Sequence, residues 1–241
     1  MNSQAFSVHL IRHAESENNA RPVHERVCDP RITQRGHLQT QYLADWMKTL
    51  RLELLITSPF QRTLQTAQGI LRARGRRTEV WHDIFESGGC YHGHHESNFA
   101  GAPGLNRDQI VQFFGTPSVA DSSDDWLVID SQIGVDGWWG GRPREALEQT
   151  RERAIQVNER LIRTFAGTGG SVALVVHADF KRELLQLMLS DILDLDAVGP
   201  IANTSVTELQ YSGSPDHGRW RLGYLNSVTH LPPRLITGRE W

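Results

Sequence analysis

The chain has 241 residues, with 25 lysines and arginines against 28 aspartates and glutamates, and a formal net charge of −3. This balance argues against a generic binder of nucleic acids or anionic membranes, because such proteins carry a basic excess. The first residues lack the basic and apolar regions of a signal peptide, and apolar runs such as 172–176 are too short to span a bilayer. Two cysteines are too few for a disulfide framework. We therefore expect reduced thiols and a cytoplasmic protein without nucleic-acid or membrane partners.

The predicted elements alternate between strand and helix along the chain, which is the pattern of an α/β fold. Strands are predicted over 7–11, 52–57, 79–85, 171–176, 206–211 and 220–225. Helices are predicted over 37–50, from an N-cap at Ser58 with Pro59 at the first helical position to about Ala73, over 143–165 and over 180–189. We expect a single domain over 1–241, with a mostly parallel sheet in a three-layer arrangement and helices on both faces.

Residues 88–141 do not fit this alternation. The segment is rich in Gly, Ser and Asp and contains Trp126, Trp138 and Trp139. A stretch of this length inside an α/β domain is typical of an active-site lid or a binding insertion. Alternatively, it is a surface excursion with a small core of its own, in which the tryptophans pack. Both interpretations stay open from the sequence.

Polar side chains follow the predicted strands at the points where they end. Arg12 and His13 close the first strand, Arg62 falls in the first turn after the second, and His177 follows strand 171–176. Because ligands bind beyond the carboxyl ends of the strands in such sheets, we expect these side chains to converge on one edge. Glu86, at the end of strand 79–85, is placed to join them.

These residue types together suit phosphoryl transfer. Imidazole is a competent nucleophile toward phosphorus, and guanidinium groups bind phosphoryl oxygens bidentately. Arg12, Arg62 and a second, charged histidine would stabilise the phosphoryl oxygens, and a carboxylic acid would supply a proton to the leaving oxygen. The set needs no metal ion.

Motifs spread over positions 8–210 carry a resemblance to a known family. They are LIRHAESENN at 10–19, the run from Thr33 to Gln39, Ser58-Pro59-x-x-Arg62-x-x-Gln65-Thr66-Ala67, VALVVHAD at 172–179, and Asn203 to Thr207. Together they resemble the histidine phosphatase superfamily, also called the phosphoglycerate mutase-like family. The resemblance implies a phosphoglycerate mutase-like fold, with the segment 88–141 as a lid insertion over the pocket.

The resemblance also implies a role for each matching residue. His13 would be the nucleophile that becomes phosphohistidine, and Glu86 would be the proton donor. Glu15 would orient the arginines. The residues implied to contact the phosphoryl group are Arg12, Arg62, His177, Asn19 and Ser16.

The implied function is a phosphatase that hydrolyses a small-molecule phosphomonoester without a metal or other cofactor. The known mutases of the family resemble Glu-Arg-His-Tyr-Gly around the proton donor, whereas this chain reads Glu86-Ser87-Gly88-Gly89-Cys90. This departure favours a phosphatase over a phosphoglycerate mutase-type phosphoryl transferase. A non-catalytic member that only binds a phosphorylated ligand is a further alternative, although the nucleophile is present.

Other conspicuous residues lead to weaker expectations. The tract from His92 to Glu96 allows metal-dependent hydrolysis as a third alternative, but a place at the pocket rim or a plain surface loop fits it better. Cys28 and Cys90 lie in predicted loops without a neighbouring base, so we expect no reactive thiol. The aromatic content of 88–141 suggests an apolar or ring-bearing leaving group. If the acidic patch at 121–125 faces the pocket, it argues against a highly anionic substrate.

Overall fold

The chain folds around a seven-stranded, mostly parallel sheet that has helices on both faces, as the sequence predicts. The computed structural model describes residues 4–74, 77–115, 126–191, 194 and 198–238. Among these residues, none of the helices combines the length and the apolar character needed to cross a membrane.

The main sheet brings together strands that are distant in the chain. It contains β1 (Phe6–Arg12), β2 (Leu54–Thr57), β3 (Thr78–Val80), β6 (Leu127–Ile129), β7 (Ser171–Val176), β8 (Val206–Ser212) and β9 (Arg219–Ser227), and β4 (Tyr91–His92) pairs separately with β5 (Ala100–Gly101). The order across the sheet is β6-β3-β2-β7-β1-β8-β9. The first five strands in this order are parallel, β8 pairs antiparallel with β1, and β9 pairs antiparallel with β8. Because β7 lies between β2 and β1, the carboxyl ends of these three strands are adjacent.

Helices cover the sheet on its two faces. They are α1 (Glu17–Ala20), α2 (Gln34–Met47), α3 (Gln61–Arg74), α4 (Arg107–Phe114), α5 (Leu147–Phe165) and α6 (Ala178–Leu189). Val8 and Leu10 of β1 pack in the core that includes α5 and α6, whereas Ile11 packs in the core that includes α2 and α3. Successive side chains of a strand point to opposite faces, so a strand buried on both faces needs a continuous apolar run.

The start of α3 differs from the prediction. The helix begins at Gln61, after Ser58 and Pro59, and the side chain of Ser58 hydrogen-bonds to His177 instead of capping the helix. The backbone N–H of Gln61 donates to Asp29 Oδ1 at 2.9 Å, so a carboxylate from a distant loop occupies the helix N-terminus. The prediction that this helix ends near Gly75 lies outside the described residues.

Two further boundaries were predicted incorrectly. The strand expected over 79–85 ends at Val80, and a 3₁₀ turn at His82–Ile84 separates it from Glu86. The helix expected from residue 143 begins at Leu147, because the preceding residues pack against another loop: the Glu145 N–H donates to the Gly88 carbonyl.

The segment 88–141 contributes to both the sheet and the core. Its strand β6 pairs in parallel with β3 and extends the main sheet, so this part is not a surface excursion. Trp138 and Trp139 are buried in a cluster with Phe60 and Phe85, which confirms a packing role for these two rings. The acidic patch at 121–125 lies outside the described residues.

Candidate active site

A pocket of about 440 Å³ opens at the carboxyl edge of the sheet. Of the residues predicted for the site, it is lined by Arg12, His13, Ser16, Asn19, Arg62 and Glu86. His177 is fully buried behind this wall and contacts two of its rings, with centroid distances of 5.3 Å to His13 and 5.0 Å to Phe60. The structure therefore brings the predicted residues together. We call Arg12, His13, Arg62 and His177 the pocket floor.

The position of β7 in the sheet explains how the floor is assembled. Arg12 pairs in register with Val176, and the N–H of His13 donates to the Val176 carbonyl at 2.9 Å. On the other side of β7, the Ser58 N–H donates to the Val175 carbonyl, which brings the start of the α3 turn to the same edge. Three adjacent parallel strands thus carry all four floor residues to one place.

The hydrogen bonds of His13 define which of its two ring nitrogens carries the hydrogen. Its Nδ1 lies 2.7 Å from the Ala14 carbonyl oxygen, which can only accept, so Nδ1 carries the hydrogen. Arg62 Nε donates to His13 Nε2 at 3.2 Å, which requires a lone pair there. Burial, followed by the charges of Arg62 and Arg12, holds the pKa of His13 well below its usual range. The ring is therefore neutral, with Nε2 as the nucleophilic atom.

The two arginines are buried cations that form no salt bridge with a carboxylate among the residues that the structure describes. Arg12 Nη1 donates to the carbonyls of Ile201 and Gly238, while its Nε is buried without a hydrogen-bond partner among the described residues. Arg62 stacks over Phe60, with its Cζ 4.1 Å from the ring centroid. Burial lowers the pKa of both guanidinium groups, yet arginine stays charged at any physiological pH. The pocket floor is therefore positively charged and suited to binding an anion.

His177 departs from the expectation of a second, charged histidine. Its Nε2 lies 2.8 Å from Ser58 Oγ, and its Nδ1 is buried with no partner within the described ranges. Burial, together with Arg62 and His13, holds the pKa of His177 well below its usual range. The imidazole is therefore neutral, because burial disfavours its charged form and the cations of Arg62, Arg153 and Arg12 lie nearby.

Glu86 lies at the N-terminus of α6, opposite the arginines. Its Oε1 accepts from the N–H groups of Ser87 at 3.0 Å and Phe180 at 3.1 Å. Burial and the neighbouring Asp179 raise the pKa of Glu86 to about 7, against the lowering effect of Arg62 and these hydrogen bonds. Near neutral pH the carboxyl group is thus divided between its acid and base forms.

The remaining predicted residues have more specific positions. Asn19 is exposed to the pocket, and its Oδ1 accepts from the N–H and the hydroxyl of Ser16, both at 3.0 Å, which leaves the Asn19 amide nitrogen as the donor toward a ligand. The Ser16 hydroxyl has already used its hydrogen on Asn19. Glu15 was expected to orient the pocket arginines, but its carboxylate accepts from Thr33 at 2.7 Å and from Arg35 at 3.1 Å.

Asn203 is a supporting residue to which sequence reasoning gave no role. It donates from Nδ2 to the His13 carbonyl at 3.1 Å and to Asn19 Oδ1 at 3.2 Å, and its Oδ1 accepts from the Thr237 hydroxyl. Its position in the Asn203 to Thr207 motif was the available signal. Its partners, however, are distant in sequence, so only the folded chain shows what it holds in place.

The mouth of the pocket is built differently from its floor. We call six of the exposed or partly exposed residues around it the pocket rim: Val23, Val27, Tyr91, His94, Phe99 and Arg144. The Arg144 guanidinium lies 5.2 Å from the Tyr91 ring centroid and 4.8 Å from that of Phe99. Of the histidine tract, His94 reaches the pocket and His92 and His95 are exposed. The described part of the chain contains no group of three His, Cys, Asp or Glu side chains arranged to hold a metal ion.

This geometry agrees with comparisons to known proteins. The family model of the histidine phosphatase superfamily (branch 1) matches residues 8–227, and the chain belongs to this superfamily. Among solved structures, it is similar to a mycobacterial glucosyl-3-phosphoglycerate phosphatase, with a TM-score of 0.61 and 19% identity over 93% of this chain and 100% of that one. Bacillus stearothermophilus YhfR gives a TM-score of 0.59 and 18% identity over 93% and 98%. At these identities the likeness establishes the fold.

Curated relatives include both mutases and a phosphatase. A 2,3-bisphosphoglycerate-dependent phosphoglycerate mutase of Bartonella tribocorum is 30% identical over 46% of this chain and 51% of its own length. The same enzyme of Cytophaga hutchinsonii is 22% identical over 73% and 74%. Phosphoserine phosphatase 1 of Hydrogenobacter thermophilus is 37% identical over 27% and 31%. The chain thus spans about half the length of the first relative and less of the phosphatase.

Proposed function

We propose that the chain is a phosphatase that hydrolyses a small phosphomonoester through a phosphohistidine on His13, without a metal ion or other cofactor. The observation that carries this proposal is the state of His13: its Nε2 is unprotonated and lies beside a guanidinium group in a pocket suited to an anion. A neutral imidazole nitrogen is a nucleophile, and adjacent cations stabilise the charge that develops on the phosphoryl oxygens.

Unsatisfied polar atoms support the phosphoryl-binding role. Arg12 Nε and His177 Nδ1 are buried side-chain nitrogens that lack partners within the described residues. Arg12 Nε is an N–H donor at the pocket, and leaving a buried donor unpaired costs about 1–3 kcal/mol, so this atom calls for a ligand that accepts from it. The oxygens of a bound phosphoryl group are acceptors of the right kind. Asn19 would add a donor from the pocket mouth, with Ser16 holding its amide in orientation.

The reaction then proceeds in two displacements. In the first, the Nε2 lone pair forms the P–N bond while the ester P–O bond breaks, and the proton of Glu86 goes to the leaving alcohol oxygen. Arg62 Nε, which donates to His13 Nε2 in the structure, transfers its hydrogen bond to a phosphoryl oxygen. In the second, the Glu86 carboxylate accepts a proton from water as the water oxygen attacks phosphorus, the P–N bond breaks, and inorganic phosphate leaves.

The division of Glu86 between its two forms suits this double task. A group that first donates and later accepts a proton works best when its pKa lies close to the working pH. Burial and Asp179 bring the pKa of Glu86 to about 7. The same carboxyl group therefore supplies the acid of the first step and the base of the second.

Hydrolysis is favoured over mutase transfer by the sequence around the proton donor. The segment after Glu86 is Ser87-Gly88-Gly89-Cys90, in place of the arginine and histidine that follow the proton donor in the known mutases of the family. A mutase remains the second candidate, because the Bartonella relative with 30% identity bears that name. The rim residues Val23, Val27, Tyr91 and Phe99 favour a leaving group with an apolar or ring-bearing part.

One assay tests the proposal. The protein is incubated with an aryl phosphate, with and without EDTA, beside a His13→Ala variant, and samples quenched in alkaline denaturant are analysed for phosphohistidine by mass spectrometry. We expect turnover that resists EDTA, a base-stable phosphoryl adduct on His13, and no activity in the variant. Loss of turnover with EDTA would contradict the proposed chemistry. Interconversion of phosphoglycerates without phosphate release would identify a mutase, and phosphate binding without turnover would identify a binding protein.

A further inference from the structure

The two cysteines of the chain lie side by side at the wall of the pocket. Cys28 and Cys90 are 62 positions apart in sequence, and Cys90 Sγ lies 3.8 Å from the Cys28 carbonyl oxygen. This contact is a hydrogen bond from the Cys90 thiol, and it brings the two thiols close enough to affect each other's pKa. Cys90 is fully buried in the cluster that contains Trp138 and Trp139, whereas Cys28 is partly exposed and lines the pocket. The Cys28 thiol is thus accessible to a small reagent, and the neighbouring Cys90 thiol is buried.

Their surroundings differentiate the two sulfur atoms. The hydrogen bond from Cys90, opposed by partial burial and assisted by His92, lowers the pKa of the Cys28 thiol to about 6. The same hydrogen bond, together with burial, raises the pKa of Cys90. Cys28 is therefore the thiolate at neutral pH, and Cys90 is the protonated partner. Exposed thiolates with a neighbouring thiol are the usual sites of reversible oxidation.

We propose that Cys28 and Cys90 form an oxidation site in which a peroxide converts the thiol pair into a reversible disulfide. The Cys28 thiolate attacks one peroxide oxygen, the O–O bond breaks, and the released hydroxide takes up a proton to become water. The Cys90 sulfur then attacks the resulting Cys28 sulfenic acid, its thiol proton is lost, and the hydroxyl group leaves as a second water. In sum, two thiols are oxidised by two electrons, and one hydrogen peroxide is reduced to two water molecules.

The disulfide would connect two loops that support the pocket. Asp29, next to Cys28, accepts from the Gln61 N–H at the start of the helix that carries Arg62. Cys90 directly follows the turn from Glu86 to Gly89, in which the Gly89 N–H donates to the Glu86 carbonyl. A covalent S–S bond draws the two sulfur atoms closer than a thiol hydrogen bond does. Because displacement of catalytic groups by about 1 Å can slow a reaction many-fold, we expect the oxidised form to be about tenfold less active.

The test combines a chemical readout with activity. The reduced protein is treated with hydrogen peroxide, and its intact mass, free thiol count and aryl phosphate turnover are measured before and after addition of dithiothreitol. We expect a monomer that is lighter by two hydrogen atoms, has no free thiol, and recovers both thiols and activity on reduction. The activity readout rests on the proposed function, but mass and thiol count do not, so the two proposals can fail separately.

Matched variants assign the two roles. With Cys90→Ser, the Cys28 sulfenic acid has no resolving thiol and should be trapped by dimedone; with Cys28→Ser, the buried Cys90 should stay reduced under the same treatment. Thermal melting of both variants checks that they fold. Addition of oxygen atoms to wild-type protein instead of loss of two hydrogens, disulfide-linked dimers, or two unreacted thiols would each overturn the proposal. An intact intramolecular disulfide with unchanged turnover would overturn the effect on activity.

Discussion

The pocket floor and the pocket rim differ in how their side chains are held. Each floor residue is buried, and backbone carbonyls or neighbouring side chains fix its ring or guanidinium plane. Rim residues such as Tyr91 and Arg144 are at least partly exposed and are positioned by ring contacts with one another. Buried, hydrogen-bonded groups keep their geometry, whereas exposed groups lose little interaction energy when they move. We infer that the floor carries the chemistry and the rim selects the substrate.

Removing the nucleophile should give the largest effect. We expect His13→Ala to reduce kcat for an aryl phosphate by about 10⁴-fold or more, since no other group of the floor is placed to form the covalent intermediate. Steady-state kinetics and the phosphohistidine adduct provide the measurements. A variant that retains even a tenth of wild-type activity, with its melting temperature unchanged, would show that the floor does not act through His13.

Glu86 should separate leaving groups that need a proton from those that do not. We expect Glu86→Gln to lower kcat/KM for an alkyl phosphate by about 10³-fold, and that for a nitrophenyl phosphate far less, because nitrophenolate leaves without protonation. The comparison uses kcat/KM because the second step, in which Glu86 is the base, is common to both substrates. If both substrates lose the same factor, the proton-donor role is wrong.

The raised pKa of Glu86 predicts that kcat/KM depends on pH. The pKa of Glu86 is raised to about 7, so the acid form declines as the pH rises through that value, and kcat/KM for the alkyl phosphate should fall with it. His13 stays neutral down to mildly acidic pH because its pKa is lowered, so activity should persist below neutrality. A profile measured from about pH 5 to about pH 9 should lose its alkaline limb near 7 in Glu86→Gln. A limb that stays in the variant would assign it to another group.

A positive charge at position 62 of the pocket floor should not be sufficient for full activity. Arg62→Lys keeps the cation but removes the planar donor set that contacts His13, so we expect kcat to fall by about 10²-fold with a smaller change in KM. The circular dichroism melting curve of the variant provides the folding control. A loss seen only in KM would place Arg62 in ground-state binding and would weaken the distinction between floor and rim.

The rim should give the smallest effect and the most selective one. We expect Arg144→Ala to raise KM about threefold for a substrate whose leaving group carries a negative charge, with kcat little changed and neutral aryl phosphates unaffected. Arg163→Ala, a substitution at an exposed arginine of α5 paired with Glu159, is the matched control. An Arg144 variant that loses kcat on every substrate would move this residue from the rim to the catalytic set.

Local patterns in the sequence were sufficient for most of the fold and for the members of the floor. The strand Ser171–Val176 was predicted with both ends correct. An unbroken apolar run bounded by polar residues is typical of a strand that is buried on both faces of a parallel sheet. His13 and His177 follow such strands directly, and strand ends converge by topology. The boundaries at 58–61 and 80–86 were missed, since a distant carboxylate starts one helix and a 3₁₀ turn replaces the end of one strand.

The chain by itself thus determined the superfamily resemblance, the sheet and the identity of the pocket residues, because these depend on side-chain type and short-range spacing. The tertiary structure alone decided the neutral state of His177, the raised pKa of Glu86 and the contact between Cys28 and Cys90. Each of these depends on burial and on groups far away in sequence, such as Ser58 beside His177 and Asp179 beside Glu86. Desolvation and Coulomb interactions act through space, so a linear pattern does not contain them.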